Sequence, residues 1–205
     1  MFYKIARFMG CILSFLFWPI KTKDKKHLDK KGPLILAANH VSYLDPIVLG
    51  IAIKRQIHFI AKKEVFEVPI LGLIVKSLGA IPVDRDRANL ASIKKSLNIL
   101  KNGSILGIFP EGTRSLDGKL LKLNAGLIKI ALMSNVPIIP VGINGTFDIY
   151  PPGAKIPSFL KRKHIYINVG KSIYLDNTRE KDIEYQKESL SLIENKIKEL
   201  SNPNS

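Results

Sequence analysis

The sequence is poor in cysteine, in aromatic residues and in acidic side chains. Its 205 residues include a single cysteine, Cys11, so an internal disulfide is excluded, a cysteine-based zinc site is not expected and a reducing compartment is indicated. Aromatic residues form 8% of the chain and do not alternate with basic ones, which disfavours nucleic-acid binding. Only 17 acidic residues oppose 32 lysines and arginines, and the net charge of +15 favours a polyanionic partner, either a nucleic acid or an anionic membrane surface.

The sequence also lacks an apolar run long enough to cross a bilayer. Residues 8–20 carry no charge, but a spanning helix needs about 20 apolar residues. A signal peptide is disfavoured because Trp18, Pro19 and lysines lie where a cleavage site of small residues would be. The basic flanks instead predict that residues 1–22 form a helix in the membrane interface, at the cytoplasmic face of the cell membrane, with residues 23–205 as the body. The alternative is an apolar helix packed on the protein's own core.

The body contains a regular alternation of strand and helix patterns. The chain length suits one sizeable core, and no repeat, low-complexity segment or linker divides it. We therefore predict an α/β fold, a single layered domain with a largely parallel or mixed sheet flanked by helices, plus the N-terminal membrane-interface helix. The last helix is predicted to open with an Asn-x-x-Glu capping box at Asn177. The predicted strands are 34–38, 57–61, 80–83, 104–109, 137–143 and 163–169, and the predicted helices are 46–53, 70–78, 90–100, 126–133 and 177–200.

A short loop after the first of these strands carries a histidine and an aspartate. His40 follows the apolar run, and Asp45 precedes Pro46, which starts the next predicted helix. The C-terminal ends of strands are where open α/β sheets bind their ligands. The Asp45 carboxylate can fold back to His40 Nδ1 and leave Nε2 free to take a proton from a hydroxyl. These residues alone leave an alternative open, in which Asp45 caps the helix and His40 fills a turn.

Two further strands deliver charged residues to the same edge. The strand 104–109 leads into a loop with Glu111, Gly112, Thr113 and Arg114. In this loop the glycine lets the backbone approach a ligand, the arginine fork fits a phosphate, and the threonine and loop N–H groups add donors. The third predicted strand ends in the same way, with an aspartate followed by Arg85. The alternative for both stretches is solvated surface charge, such as a Glu–Arg pair three residues apart, which contributes little to stability.

The order and spacing of these stretches resemble the glycerophospholipid acyltransferase family over residues 34–143. One departure from the pattern concerns Asn124, which stands where many relatives carry a lysine, with Lys122 two residues earlier. The phosphate contact that the resemblance implies for that lysine is therefore either lost or made by Lys122. The matching motifs are Asn-His-x-x-x-x-Asp at residues 39–45, Ala-Lys-Lys-Glu at 61–64, a glycine-led strand ending in Asp-Arg at 79–85, Phe-Pro-Glu-Gly-Thr-Arg-Ser at 109–115 and Val-Pro-Ile-x-Pro at 136–140.

The resemblance implies an O-acyltransferase of phospholipid biosynthesis, with His40 as the general base and Asp45 as its orienter. The fatty acyl group would move from acyl-CoA or acyl-carrier protein to the sn-2 hydroxyl of 1-acylglycerol 3-phosphate, an anionic lysophospholipid, giving phosphatidic acid. Glu111 would orient the hydroxyl, and three cations would clamp the phosphate. The implied substrate-binding residues are Glu111, Gly112, Thr113, Arg114, Arg85 and Lys62. No metal, cofactor or nucleic-acid partner is expected.

Two alternatives to this activity stay open at the level of sequence. The nearer one is acylation of glycerol 3-phosphate or of another lysolipid by the same residues. The more distant one is a non-catalytic basic protein that binds a membrane or a nucleic acid. The intact His-Asp pair and the Glu-Gly-Thr-Arg loop argue against the second alternative, because binding by charge alone requires neither.

Overall fold

The computed structural model describes the chain except for residues 1, 29–30, 68, 70, 78, 84–87, 160–162 and 203–205. Helices α1 to α7 are Phe2–Phe17, Asp45–Ala52, Leu71–Ser77, Ala88–Lys101, Gly126–Ser134, Thr146–Ile149 and Ile183–Leu200. Strands β1 to β7 are Ile20–Lys23, Leu34–Ala38, Ile57–Lys62, Ile81–Val83, Ile105–Ile108, Ile138–Asn144 and Ile165–Val169. Short 3₁₀ helices occupy Lys25–Leu28, Lys63–Phe66 and Asn177–Arg179.

The strands of the described residues form one seven-stranded sheet in the order β1-β7-β6-β2-β5-β3-β4. Strands β2 to β6 run parallel, β7 is antiparallel to β6, and β1 is parallel to β7. The prediction of a single α/β domain with a largely parallel or mixed sheet is therefore confirmed. Because β2 lies between β5 and β6, the loop after β2 emerges in the middle of the edge where the parallel strands end.

The sheet separates two apolar layers. Every residue of β2 is buried, as its uninterrupted apolar sequence predicts for a central parallel strand. Leu34 and Leu36 pack in the layer that contains α2, whereas Ile35 and Ala37 pack in the layer that contains α5 and α7. Burying each large aliphatic side chain contributes about 1.5–3 kcal/mol, so β2 and the loop that it carries are held firmly from both faces.

The N-terminal helix is present, but it lies earlier in the chain than the apolar run predicts. Helix α1 covers Phe2–Phe17, and Pro19 prevents it from continuing. Residues Ile20–Lys23 then pair with β7, so the end of the predicted anchoring segment 1–22 belongs to the sheet. The helices in the described part of the chain include none that is long and apolar enough to span a membrane. The division of the chain at residue 22 and the interfacial location of α1 stay predictions.

The C-terminal helix begins later than predicted. The Asp176 side chain accepts a hydrogen bond from Thr178 N and holds Asn177–Arg179 in a tight 3₁₀ turn. Helix α7 starts after this turn, where the Asp182 side chain accepts from Tyr185 N over 2.9 Å. The predicted capping box at Asn177 is therefore wrong, because the two aspartates make the capping bonds on either side of it.

Candidate active site

Buried polar side chains fix the loop after β2. Asn39 exchanges two hydrogen bonds with β6, since its Nδ2 donates to Ile143 O over 3.0 Å and Ile143 N donates to its Oδ1 over 2.7 Å. Ser42 Oγ donates to Tyr150 O over 2.7 Å. Both Asn39 and Ser42 are buried. The backbone around His40 is thus tied to β6 and to the end of α6.

The predicted contact between His40 and Asp45 is present. His40 Nδ1 lies 2.9 Å from Asp45 Oδ2, and the same oxygen accepts from the backbone N–H groups of Val41 and Ser42 at 2.7 Å each. Asp45 is fully buried, and an ionised carboxylate only accepts hydrogen bonds. We therefore assign the ring proton of His40 to Nδ1, which leaves the Nε2 lone pair free. The His40 side chain keeps 19% of its surface exposed, so a substrate can reach it.

The side chain of Asp45 does not serve as a helix cap. Asp45 is the first residue of α2, with Leu44 in the N-cap position and no side-chain capping bond there. Its carboxylate turns back along the chain and binds His40 and the loop N–H groups instead. The geometry therefore favours an orienting carboxylate over the helix-cap alternative.

Two phenylalanines stack behind the imidazole. The centroid of the Phe109 ring is 4.1 Å from that of His40, with 18° between the ring planes, and Phe59 lies 5.4 Å beyond Phe109 at 9°. Phe109 directly follows β5, and Phe59 lies in β3. The stack restricts rotation of the His40 ring and so fixes the direction in which Nε2 points. The sequence did not reveal this role, because an aromatic residue at a strand end resembles any core residue.

Glu111 joins the two main loops of the site. One of its carboxylate oxygens accepts from His40 N over 2.6 Å, and the other accepts from Leu121 N over 2.8 Å. Ser115 N donates to His40 O over 2.9 Å, so the loop after β5 holds both backbone polar groups of His40. Glu111 is 5% exposed. The structure thus gives Glu111 a backbone-holding role that the sequence did not predict.

Burial raises the pKa of Glu111 from 4.5 to about 7, against the opposing effect of the Leu121 and His40 N–H groups. The folded protein therefore binds this proton more tightly than the unfolded chain does. The resulting contribution to stability is fully present below the unfolded pKa of 4.5 and is lost as the pH rises through about 7. Stability should consequently fall with increasing pH across this window.

Glu111→Gln should remove this pH dependence. We expect the difference in free energy of unfolding between wild type and Glu111→Gln to change by up to about 3 kcal/mol between pH 5 and pH 8, with wild type losing stability as the pH rises. Urea unfolding of both proteins at several pH values measures this difference. Glu188→Gln is the control, because it makes the same change at an exposed carboxylate. Parallel pH profiles for wild type and Glu111→Gln would contradict the prediction.

Gly112 and Asn124 shape the loop after β5. Gly112 has a φ of 72°, and an added Cβ would lie 3.1 Å from Asn124 Nδ2. Asn124 Nδ2 donates to the carbonyls of Pro110 and Glu111 over 3.0 and 3.2 Å. The asparagine that stands in place of the expected lysine is therefore a clamp on the loop that carries Glu111. Lys122, the other candidate for the phosphate contact, is exposed nearby.

Arg114 lies against an aromatic ring of the loop after β2. Its guanidinium carbon is 3.4 Å from the centroid of Tyr43. Its Nη1 is buried and has no hydrogen-bond partner among the described residues. Because buried N–H groups are normally paired, this atom is a donor available to an anion. Glu111 is buried and bonded to backbone N–H groups, so a solvated ion pair between Glu111 and Arg114 is not supported. Thr113, between them in the sequence, is exposed.

Lys62 belongs to a strand farther along the same edge, and Arg85 follows the next strand in the sequence. Lys62 is the last residue of β3 and pairs in register with Val83 of β4. Strands β3 and β4 are the second and third from β2, about 10 and 14 Å away at the usual strand spacing. The side chain of Lys62 and the whole of Arg85 lie outside the described part of the structure. Their predicted contacts with a phosphate stay predictions.

Thr146 completes the surroundings of Asp45, and the sequence did not predict it. Its Oγ1 donates to Asp45 Oδ1 over 2.6 Å, and the residue is fully buried. Thr146 starts α6 immediately after Gly145, in a stretch that the sequence predicts only as a turn. The signal that could have found it is topological, since the ends of neighbouring parallel strands β2 and β6 must meet.

The site offers the Nε2 atom of His40, in the loop after β2, and the guanidinium of Arg114, which stacks on Tyr43 of the same loop. The first can take a proton from a hydroxyl, and the second can hold a phosphate. Among the described residues, no three His, Cys, Asp or Glu side chains converge where they could hold a metal ion. The arrangement therefore fits proton transfer on a phosphorylated hydroxyl compound.

Comparison with known proteins connects this site to a family. The chain is 38% identical over 127 residues to the 1-acyl-sn-glycerol-3-phosphate acyltransferase of Bacillus subtilis (strain 168), covering 62% of this chain and 63% of that protein. It is 30% identical over 186 residues to the protein of the same name from Streptococcus pneumoniae, covering 87% of this chain and 65% of that protein. The chain spans about half to two thirds of the length of the curated relatives that it matches.

A solved structure shares the fold. The crystal structure of the 1-acyl-sn-glycerophosphate (LPA) acyltransferase PlsC from Thermotoga maritima superposes with a TM-score of 0.79 at 25% identity, covering 96% of this chain and 77% of that one. The family model described as Acyltransferase matches residues 19–144, which include the loops after β2 and β5. The chain therefore belongs to the acyltransferase family.

Proposed function

We propose that this protein transfers a fatty acyl group from an acyl thioester to the sn-2 hydroxyl of 1-acylglycerol 3-phosphate, giving phosphatidic acid. The observation that carries the proposal is the free Nε2 of His40, whose Nδ1 is bonded to a buried carboxylate at the ligand-binding edge of the sheet. The names of the similar proteins support this choice of reaction. Acyl-CoA or acyl-carrier protein is the proposed donor.

The proposed reaction is a direct transfer between the two substrates. His40 Nε2 accepts the proton of the acceptor hydroxyl while the hydroxyl oxygen attacks the thioester carbonyl carbon. Asp45 stabilises the imidazolium that forms, and its bond to Nδ1 keeps the ring in place. The carbon–sulfur bond then breaks, and the imidazolium returns its proton to the leaving thiolate. Because the hydroxyl attacks the thioester directly, the step needs no cysteine nucleophile, and the single cysteine, Cys11, lies in α1.

The acceptor phosphate is proposed to bind beside Arg114. Stacking on Tyr43 holds the Arg114 guanidinium next to the loop that carries His40, and its Nη1 has no hydrogen-bond partner among the described residues. Gly112 and Thr113 are proposed to line the same anion site, with Lys62 and Arg85 as further cations. Glu111 acts on the substrate through the His40 backbone that it holds, and an added contact with the acceptor hydroxyl stays a prediction.

We propose that the protein works at the cytoplasmic face of the cell membrane as a peripheral protein, with α1 lying in the interface. Several apolar side chains of α1 are exposed, among them Phe8 at 65% and Phe15 at 71%. A helix with such side chains and basic neighbours binds the headgroup region of an anionic bilayer. The proposed acceptor is itself an anionic lipid of that bilayer.

The test of the proposed function is release of free thiol from each donor in the presence of a panel of acceptors. The proposal expects thiol release with 1-acylglycerol 3-phosphate and formation of phosphatidic acid. Preference for glycerol 3-phosphate or for another lysolipid would move the assignment to the alternative acceptor. Salt-sensitive nucleic-acid binding without thiol release would assign the chain to the non-catalytic class.

Thr146→Val should lower turnover about 10-fold and leave both KM values nearly unchanged. The change removes a charge-assisted hydrogen bond to Asp45 Oδ1 while it keeps the side-chain shape. Thr146→Ser should restore most of the rate, because the serine hydroxyl can make the same bond. Steady-state kinetics of the three proteins measures the effect. Equal rates for wild type and Thr146→Val would show that this bond does not support the base.

A further inference from the structure

The connection between α6 and β7 exposes apolar side chains next to those of α1. Ile156 is 73% exposed and Phe159 is 51% exposed in this connection. At the end of α1, Phe15 is 71% exposed and Leu16 is 55% exposed. Contiguous exposed apolar side chains of this kind mark an interaction surface.

Aromatic contacts lock this connection to the end of α1. The Trp18 ring lies 4.8 Å from the Phe159 ring, and Phe17 lies 5.2 Å from Phe159 in an edge-to-face arrangement. Trp18 Nε1 also donates to Ser158 O over 2.9 Å. The end of α1 and this connection are therefore packed directly against each other.

The other end of the connection contacts the candidate active site. Tyr150 O accepts from Ser42 Oγ over 2.7 Å, and the rings of Tyr43 and Tyr150 lie 5.6 Å apart. Ser158 N donates to Ile149 O over 2.8 Å, which closes the connection into a compact loop. The loop thus runs from the segment that carries His40 to the end of the proposed anchor helix.

The charged residues within both segments are basic, and Asp148, just before the second segment, pairs with Lys163 over 3.3 Å. From residue 1 to residue 23 the sequence has no acidic residue and four basic ones, Lys4, Arg7, Lys21 and Lys23. From residue 149 to residue 175 it again has no acidic residue, and its basic residues are Lys155, Lys161, Arg162, Lys163 and Lys171. Exposed apolar side chains in segments whose charged residues are all basic complement an anionic bilayer.

We propose that residues 151–159 form a second membrane-docking element, which inserts Ile156 and Phe159 into an anionic bilayer surface beside α1. This docking role rests on the proposed function, because a lipid acceptor must reach His40 from the bilayer. With both segments docked, the loop that carries His40 faces the headgroup region. The acceptor then reaches the base without leaving the bilayer.

Flotation of the full-length protein with vesicles tests this proposal. The vesicles contain phosphatidylcholine with phosphatidylglycerol as the minor component, and Trp18, the single tryptophan, reports wild-type docking by a blue shift of its fluorescence. Ile156→Asp and, on α1, Phe15→Asp should each lower the partition coefficient about 10-fold or more. Ile183→Asp is the matched control, because Ile183 is 69% exposed on α7, which packs on the opposite face of the sheet. The control should partition like wild type.

Unchanged partitioning of Ile156→Asp, or an equal loss in Ile183→Asp, would overturn the docking role. The docking role would also be overturned if Ile156→Asp floated normally but had a raised KM for an acyl-carrier-protein donor. Residues 151–159 would then bind an acidic protein instead of a bilayer. Thiol release with a micellar acceptor keeps the two proposals apart. A wild-type protein that releases thiol but does not float refutes the docking role alone, and one that floats without releasing thiol refutes the proposed function alone.

Discussion

Replacing His40 with alanine should lower turnover by at least about 100-fold, the usual scale for the loss of a general base. Without the imidazole, Asp45 has no base to orient, so the remaining rate should reflect substrate binding alone. Thiol release under saturating donor and acceptor measures the effect. His164→Ala is the control, because His164 is an exposed histidine whose ring lies beside Tyr166 and not beside Asp45.

A near-normal rate in His40→Ala would refute the proposed mechanism. The alanine also removes the ring that stacks on Phe109, so a loss of activity must be separated from a loss of structure. His40→Gln serves this purpose, since it fills more of the same space without providing a base. Circular dichroism and thermal unfolding should show both variants folded, and both should be inactive on the same scale.

Asp45→Asn should be less damaging than His40→Ala but still cost at least about 10-fold. The amide oxygen can continue to accept from Nδ1 and from the loop N–H groups, with the amide NH₂ turned to Thr146 Oγ1, which can also accept. What the variant loses is the negative charge opposite the imidazolium. The loss should therefore appear in kcat rather than in either KM. A variant that loses its fold instead would show that Asp45 is chiefly a structural anchor of the loop.

The sheet was predictable because its central strands carry their own signal. Strand β2 is an unbroken apolar run, which is the pattern of a parallel strand buried on both faces. Edge strand β1 gave no such signal, since its four residues alternate between half-buried and exposed positions and two of them are lysines. The apolar residues of the predicted helix 90–100 do not all face the core, since Leu90 near the start of α4 is 84% exposed whereas Leu100 near its end is 2% exposed.

The geometry of the candidate site was predictable where its residues are close in sequence. His40 and Asp45 meet across one short loop, so their spacing was enough to predict the contact. Thr146 reaches Asp45 from 101 residues away, and Glu111 reaches His40 N from 71 residues away. Such contacts depend on the strand order of the sheet, which local patterns do not specify. The prediction for Glu111 identified the residue and not the backbone N–H groups that it holds.

Arg114→Ala should raise the KM for the lysolipid acceptor about 10- to 150-fold, the range expected for the loss of one charge-assisted hydrogen bond. The variant removes a guanidinium whose Nη1 has no hydrogen-bond partner in the described structure and which stacks on Tyr43. Arg114→Lys keeps the charge but loses the planar fork and the stacking, so its KM should be intermediate. The KM for the thioester should change little in both variants.

The control for this prediction is Lys119→Ala, which removes an exposed cation from the same loop. If the acceptor responded to net loop charge alone, Lys119→Ala and Arg114→Ala would have equal effects, and raising the salt concentration would remove both. A buried donor that binds the phosphate directly is screened much less, so the effect of Arg114→Ala should persist in high salt. If Arg114→Ala instead raised the KM of the thioester and spared the lysolipid, the loop after β5 would belong to the donor site. The acceptor phosphate would then fall to Lys62 and Arg85.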